Sequence, residues 1–125
     1  MKGYFGQIEH DTLANENFRQ VLFTGPNMQL VVMTLQPGEE IGLETHGEHD
    51  QFFRFEDGTG KVIIDEDEYE VKDGDGVIVP AGAKHNVINI SEDSALRFYT
   101  IYAPPEHPDG TVHATREQAM AAEHE

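Results

Sequence analysis

Gly, Pro, Asn and Asp interrupt this chain at intervals too short to leave room for long helices. What lies between the interruptions is short and rich in Val, Ile, Phe and Tyr: Arg19–Thr24, Gln29–Leu35, Gln51–Glu56, Gly60–Asp65, Glu68–Lys72, Gly76–Val79, Lys84–Ile90 and Leu96–Tyr102. Eight such segments predict an all-β domain, a sandwich or a barrel. Gly25-Pro26-Asn27, Asp57-Gly58-Thr59-Gly60 and Asp65-Glu66-Asp67 read as hairpin joints, which makes neighbouring strands antiparallel. The core barrel is expected over about residues 19–102. The stretch before it, through Asn15, reads as a loop or short helical turn packed on the barrel. After it, residues 103–125 read as an extended strap through Pro104–Gly110 and a short helix from the N-cap candidate Thr115.

The 125 residues suit a single domain. Eight Lys and Arg stand against 24 Asp and Glu, a formal charge of −16, the wrong sign for a phosphate-backbone binder. No nucleic-acid partner is expected. Cysteine is absent, so any metal must be held by nitrogen and oxygen. No apolar run is long enough for a signal peptide or a membrane span, so the expectation is a soluble, cytoplasmic protein without a membrane partner.

The chemistry concentrates in two blocks. In the first, Pro37 to Gly58, Glu44 and His46 lie two residues apart and share a strand face, and a four-residue loop returns the chain so that Gln51 can meet them. In the second, Gly74 to Asn89, a turn at Pro80–Gly82 precedes His85. Glu44, His46, Gln51 and His85 are four candidate ligands. His46-x-x-His49 offers an alternative, although His49 in the gap between strands is expected to face solvent. His107 and His113, on the strap, are expected to be exposed. If Gln51 points inward, so do Phe53 and Phe55; on the last strand an outward Arg97 turns Phe98, Thr100 and Tyr102 inward. Phe53, Phe98 and Tyr102 are therefore candidates for a substrate pocket, or plain core. The outer face with Phe52, Tyr99 and Ile101 is too apolar to stay wet and is expected to be covered by a second subunit or by the N-terminal strand.

The two blocks resemble the paired motifs of the cupin superfamily. The first, G-x5-H-x-H-x3,4-E-x6-G, is matched by Gly38, Glu44, His46, Gln51 and Gly58, and the second, G-x5-P-x-G-x2-H-x3-N, by Gly74, Pro80, Gly82, His85 and Asn89. The resemblance implies a double-stranded β-helix, or jelly-roll barrel, and a homodimer. It also implies one divalent transition metal, Mn, Fe, Zn or Ni, at Glu44, His46, Gln51 and His85. The chain departs from the motif at Glu44, where the family has His, and at Gln51, where it has Glu. The carboxylate has changed places, which leaves a two-His, one-carboxylate set and a neutral amide oxygen. Gln at this slot is also seen in metal-binding cupins that act on unsaturated sugar acids. The tail Ile101–His113 resembles a small-cupin subgroup labelled mannose-6-phosphate isomerase-like.

Three functions follow as expectations. The first is isomerisation or tautomerisation of a small sugar or sugar acid, with metal as Lewis acid and Glu44, if it leaves or only flanks the metal, as general base. The second is non-haem Fe(II) dioxygenase chemistry at Glu44, His46 and His85. The third is a sugar-binding barrel without catalysis. A shortage of cations near the site, with Lys84 directed away, argues against a phosphosugar.

Overall fold

The computed structural model describes residues 2–123. Its elements in chain order are α1 (Ile8–Ala14), β1 (Arg19–Thr24), β2 (Gln29–Leu35), β3 (Glu44–Thr45), β4 (Asp50–Asp57), β5 (Thr59–Ile64), β6 (Asp67–Lys72), β7 (Gly76–Val79), β8 (Lys84–Asn89), β9 (Leu96–Ala103), β10 (Val112–His113) and α2 (Arg116–Glu123). They form two antiparallel sheets, a six-stranded one in the order β10-β1-β2-β9-β4-β7 and a four-stranded one in the order β3-β8-β5-β6. The jelly-roll arrangement closes them over a core of Phe53, Phe55, Phe98, Val62, Val87, Leu35 and Leu96, all fully buried. Period two sorts the strands: on β9, residues 96, 98, 100 and 102 are buried while the intervening ones are half-buried.

The joint between β4 and β5 is not the expected hairpin. It carries the chain from the six-stranded sheet into the four-stranded one, and the sharp change of direction falls on Gly58, at φ +94°. A Cβ there would collide with the Ala95 carbonyl oxygen. Gly58→Ala is therefore expected to lower stability by about 3 kcal/mol, the sum of a left-handed backbone and a backbone clash. Urea unfolding measures it, and a loss below about 1 kcal/mol would mean that the turn relaxes freely.

Among the described residues no strand covers the outer face of β2, β4 and β9. The N-terminal segment forms the two-turn helix α1, which lies against β9, β4 and β2. Behind it Asn15 and Thr34 exchange hydrogen bonds, with Thr34 Oγ1 donating to Asn15 O at 2.8 Å. Arg97, outward as expected, donates to Asn15 O and pairs with Glu16 at 3.0 Å. Phe52, Tyr99 and Ile101 end half-buried.

At the other terminus α2 begins where Thr115 Oγ1 accepts the Gln118 N–H, and Gln118 reaches back to the Ala114 N–H. The expected C-terminal segment ran to residue 125; residues 124 and 125 lie outside the described residues. No helix among the described residues is long and apolar enough to cross a membrane.

Candidate functional site

The two motif blocks meet at one end of the barrel. Glu44 on β3 stands in register opposite His85 on β8. His46 follows β3 directly, and its carbonyl accepts the Gly82 N–H at 2.8 Å, which fastens the Pro80–Gly82 turn to the histidine loop. Gly82, at φ +91°, makes that approach possible. The His46 and His85 rings are 5.3 Å apart, centre to centre. Gln51, 2% exposed on β4, is in register with Tyr102 on β9 and donates through Nε2 to Thr100 Oγ1 at 3.0 Å. The last fixed letter of the second motif serves the fold: buried Asn89 clips the β8–β9 connection by donating to Leu35 O and Ser94 O and accepting the Ser91 N–H.

Three imidazoles and two carboxylates surround Tyr102. Glu44 Oε2 is 2.9 Å from His46 Nε2, an ion pair when the imidazole is protonated. The nearness of Glu44 raises the His46 pKa against the opposing effect of burial, with Glu106 helping. Burial would raise Glu44, but His46, Arg19 and His85 outweigh it and hold the carboxyl below its ordinary range. Burial lowers His85, whose Nδ1 lies 3.4 Å from Ala83 O. The Tyr102 hydroxyl is pushed up by burial.

Several expectations change here. His49 does not face solvent: Nδ1 is 2.6 Å from Pro104 O and Nε2 is 2.7 Å from the Glu106 carboxylate. His107 is not an exposed strap residue either. Its ring sits edge-on to Tyr102 with Nε2 3.4 Å from the hydroxyl, and burial, then Arg19, drives its pKa down to about 3. His113 lies in β10, in register with Arg19, and is half-buried. Phe53 borders the site through His85, at 6.3 Å between rings, whereas Phe98 packs on Phe53 and Phe55 as core.

Two contributors escaped the sequence reading. Glu106 bridges to His49 and lies 3.7 Å from His46 Nδ1. Arg19 is 1% exposed and shares the buried phase of β1 with Val21, and its charge acts on Glu44, His46, Tyr102 and His107. The expected shortage of cations is thus wrong. The signal was available, since Arg19 shares the inward phase of β1 with Val21, but a charge is ordinarily assigned to the outside.

Comparison with known proteins now decides the family. A profile described as "Cupin domain" matches residues 31–102, the span from β2 to β9. The chain belongs to the cupin family. YrkC of Bacillus subtilis is 44% identical to this cupin over 128 aligned positions, covering 98% of the chain and 68% of YrkC. The crystal structure of BH2720 from Bacillus halodurans shares 43% identity with a TM-score of 0.93, covering 96% of this chain and 95% of that one. KdgF from Halomonas sp., at 18% identity and a TM-score of 0.65 over 70% of this cupin and 78% of its own chain, shares the fold.

Cupins commonly carry a metal, and the donors of this cupin suit one in kind: two imidazoles, a carboxylate and an amide oxygen. One ligand-type atom, Gln51 Oε1, is buried without a hydrogen-bond partner among the described residues. It costs free energy where it stands, and coordination would recover it. Among the described residues no three His, Asp or Glu side chains yet converge on one point as ligands. An ion would have to replace the direct Glu44–His46 contact.

Proposed function

We propose that this cupin is a divalent-metal enzyme that isomerises or tautomerises a small sugar or sugar acid, and that it works as a homodimer. The observation that carries the reading is the orphaned buried Gln51 Oε1, beside the Glu44–His46 pair and His85. Those four residues would hold the ion, which would supply Lewis-acid polarisation of a substrate hydroxyl or carbonyl oxygen. The chain's own part is proton handling and exclusion of water. Glu44, where it leaves or only flanks the ion, would be the general base that takes a proton from one substrate carbon and returns it to the next. Phe53 and Tyr102 close the inner side, and the strap residues Glu106 and His107 close the outer. The likeness of the tail to a sugar-isomerase-like subgroup supports a sugar-type substrate.

A second reading, a binding barrel without catalysis, is favoured by one observation: three His, Asp or Glu ligands do not converge among the described residues. Native mass spectrometry of the untagged protein separates the two and counts subunits at once. About one transition-metal ion per chain is expected. His85→Ala and Gln51→Leu should each weaken its binding, His85→Ala by more than the roughly 10–100-fold that outer partners of a metal carry. A protein that takes up no manganese, iron, nickel or zinc on reconstitution would sink the enzymatic reading, and a single subunit at all concentrations would sink the dimer.

A further inference from the structure

The two sheets end beside each other in free edges, β6 for the four-stranded sheet and β7 for the six-stranded one. Between them runs a groove of about 540 Å³ lined by Tyr69, Val71, Val77 and Ile78 among others. The two edges are defended very differently. β6 carries Asp67, Glu68, Glu70 and Lys72 among its six residues, and the Asp75 carboxylate caps it by accepting the Lys72 N–H at 2.9 Å. Charges and caps of that kind keep an edge from pairing with another chain. β7, Gly76-Val77-Ile78-Val79, has neither charge nor proline, and Ile78 is 67% exposed.

The β7 backbone is open as well. The bond from Phe55 N–H to Asp75 O sets the phase of the β4–β7 ladder, so Val77 and Val79 turn their backbone groups to β4 while Gly76 and Ile78 turn theirs away. Among the described residues nothing pairs with those outward groups. The side chains complement their own kind. Ile78 stands opposite Phe52 and Gly76 opposite Arg54, which puts both β7 residues on the outer face of the sheet. A Cβ at Gly76 would lie 3.3 Å from Phe52 Cε1, so the missing side chain leaves the edge of the Phe52 ring bare. A projecting isoleucine and a hollow beside a phenylalanine therefore sit two residues apart on one strand.

We propose that β7 pairs antiparallel with β7 of a second copy, joining the two six-stranded sheets into one continuous sheet across a two-fold axis. This deepens the homodimer reading above and rests on it. When the outward groups are matched, Gly76 faces the partner's Ile78, Ile78 faces the partner's Gly76, and Val77 meets its own copy on the axis. Each isoleucine then fills the hollow beside the other copy's Phe52. Charge favours a like copy as the occupant. With 8 Lys and Arg against 24 Asp and Glu, two copies repel over most of their surface, and an uncharged edge is where they can meet. A basic partner would find its complement on β6, not here. The paired strands are short, so the dimer belongs to the weak class, with a Kd of about 10 µM that falls as salt screens the repulsion.

The test is sedimentation equilibrium of the untagged protein from about 1 to about 500 µM, with amide hydrogen exchange read by NMR at both ends of that range. The Gly76 and Ile78 amides should exchange freely when dilute and slow by about tenfold when concentrated, since about a tenth of the chains stay monomeric there. Val77 and Val79, bonded to β4, should be protected throughout. Ile78→Glu brings two like charges to the edge and Gly76→Ala fills the hollow, and each should weaken the dimer by at least about tenfold. Because Ile78 is exposed, the urea midpoint of Ile78→Glu should match that of dilute wild type. If Ile78→Glu does not fold, Ile78→Ser takes its place, and the wild-type exchange pattern decides independently of any variant. A dimer that keeps its affinity in both variants and leaves the two amides unprotected overturns the proposal, puts the second copy elsewhere and leaves the homodimer reading standing. Protection of Gly76 and Ile78 already in the dilute monomer overturns it too, because the chain would then cover its own edge. A protein that is monomeric throughout ends both.

Discussion

Gln29→Leu is expected to lower stability by about 4 kcal/mol and to release the strap from the barrel mouth. Gln29 is fully buried at the start of β2, and its amide is used at both ends. Nε2 donates to Thr24 Oγ1 at 2.9 Å and to His107 O at 2.7 Å, while Oε1 accepts the N–H groups of Glu106 and His107 at 3.1 and 3.0 Å. Through one side chain the β2 strand thus fixes the backbone of two residues whose side chains reach His46, His49 and Tyr102. Leucine fills a similar volume but leaves those strap groups without partners, each costing about 1–3 kcal/mol where water cannot reach it. Gln29→Glu keeps both acceptor interactions and loses the two donors, so it should fall between. Urea unfolding gives the energies, and hydrogen exchange at residues 106 and 107 reports the strap. A leucine variant that stays within about 1 kcal/mol of wild type, with both amides still protected, would show that the strap is held by packing instead.

This anchor shows where sequence reading stops. Strand positions and inward phases were legible because period two is a local property: Gln51, Phe53, Phe98 and Tyr102 all face inward as alternation requires. The motif glycines and Asn89 were legible for a related reason, since Gly58 and Gly82 answer to their own backbone angles and Asn89 to a turn only a few residues away. The strap had no such pattern. Its position depends on a residue 78 positions earlier in the chain, and nothing in Pro104–Gly110 announces Gln29 as its partner. β3 and β10, two residues each, are too short to show a period. Alternation also says which face a residue occupies but not how deep along the barrel it lies. That is why Phe98 could be assigned inward without being recognisable as core beneath Phe53. Arg19 was passed over for the opposite reason: its inward phase with Val21 was readable, but a charge is ordinarily expected outside.

Lowering the pH from 6.5 to 4 should cost the wild-type protein roughly 3 kcal/mol more than it costs His107→Gln. His107 is held neutral in the fold. Burial is the main cause, and the charge of Arg19 adds to it, so that its pKa lies near 3. An unfolded chain binds a proton at this position below about pH 6.5, and the folded chain does not until about pH 3. The unfolded state thus holds more protons through that window, and stability must fall as pH falls, by up to about 1.4 kcal/mol per unit from this group. Other groups facing His107 pull in both directions. Glu44 favours a proton on the ring, whereas Arg19, His113 and His46 oppose one. His46, raised in the fold, adds stability as it takes up a proton, and Glu44, lowered in the fold, withdraws stability only at the acid end. Those contributions remain when His107 is replaced, which is why the difference between the two proteins is the quantity to read. Glutamine keeps a polar atom for the Tyr102 hydroxyl, so a simple packing loss would shift the variant's stability equally at every pH. Urea unfolding at a series of pH values gives the comparison. Parallel curves would mean that His107 titrates alike in the folded and unfolded states, and that the strap admits water to the inner side of the barrel mouth.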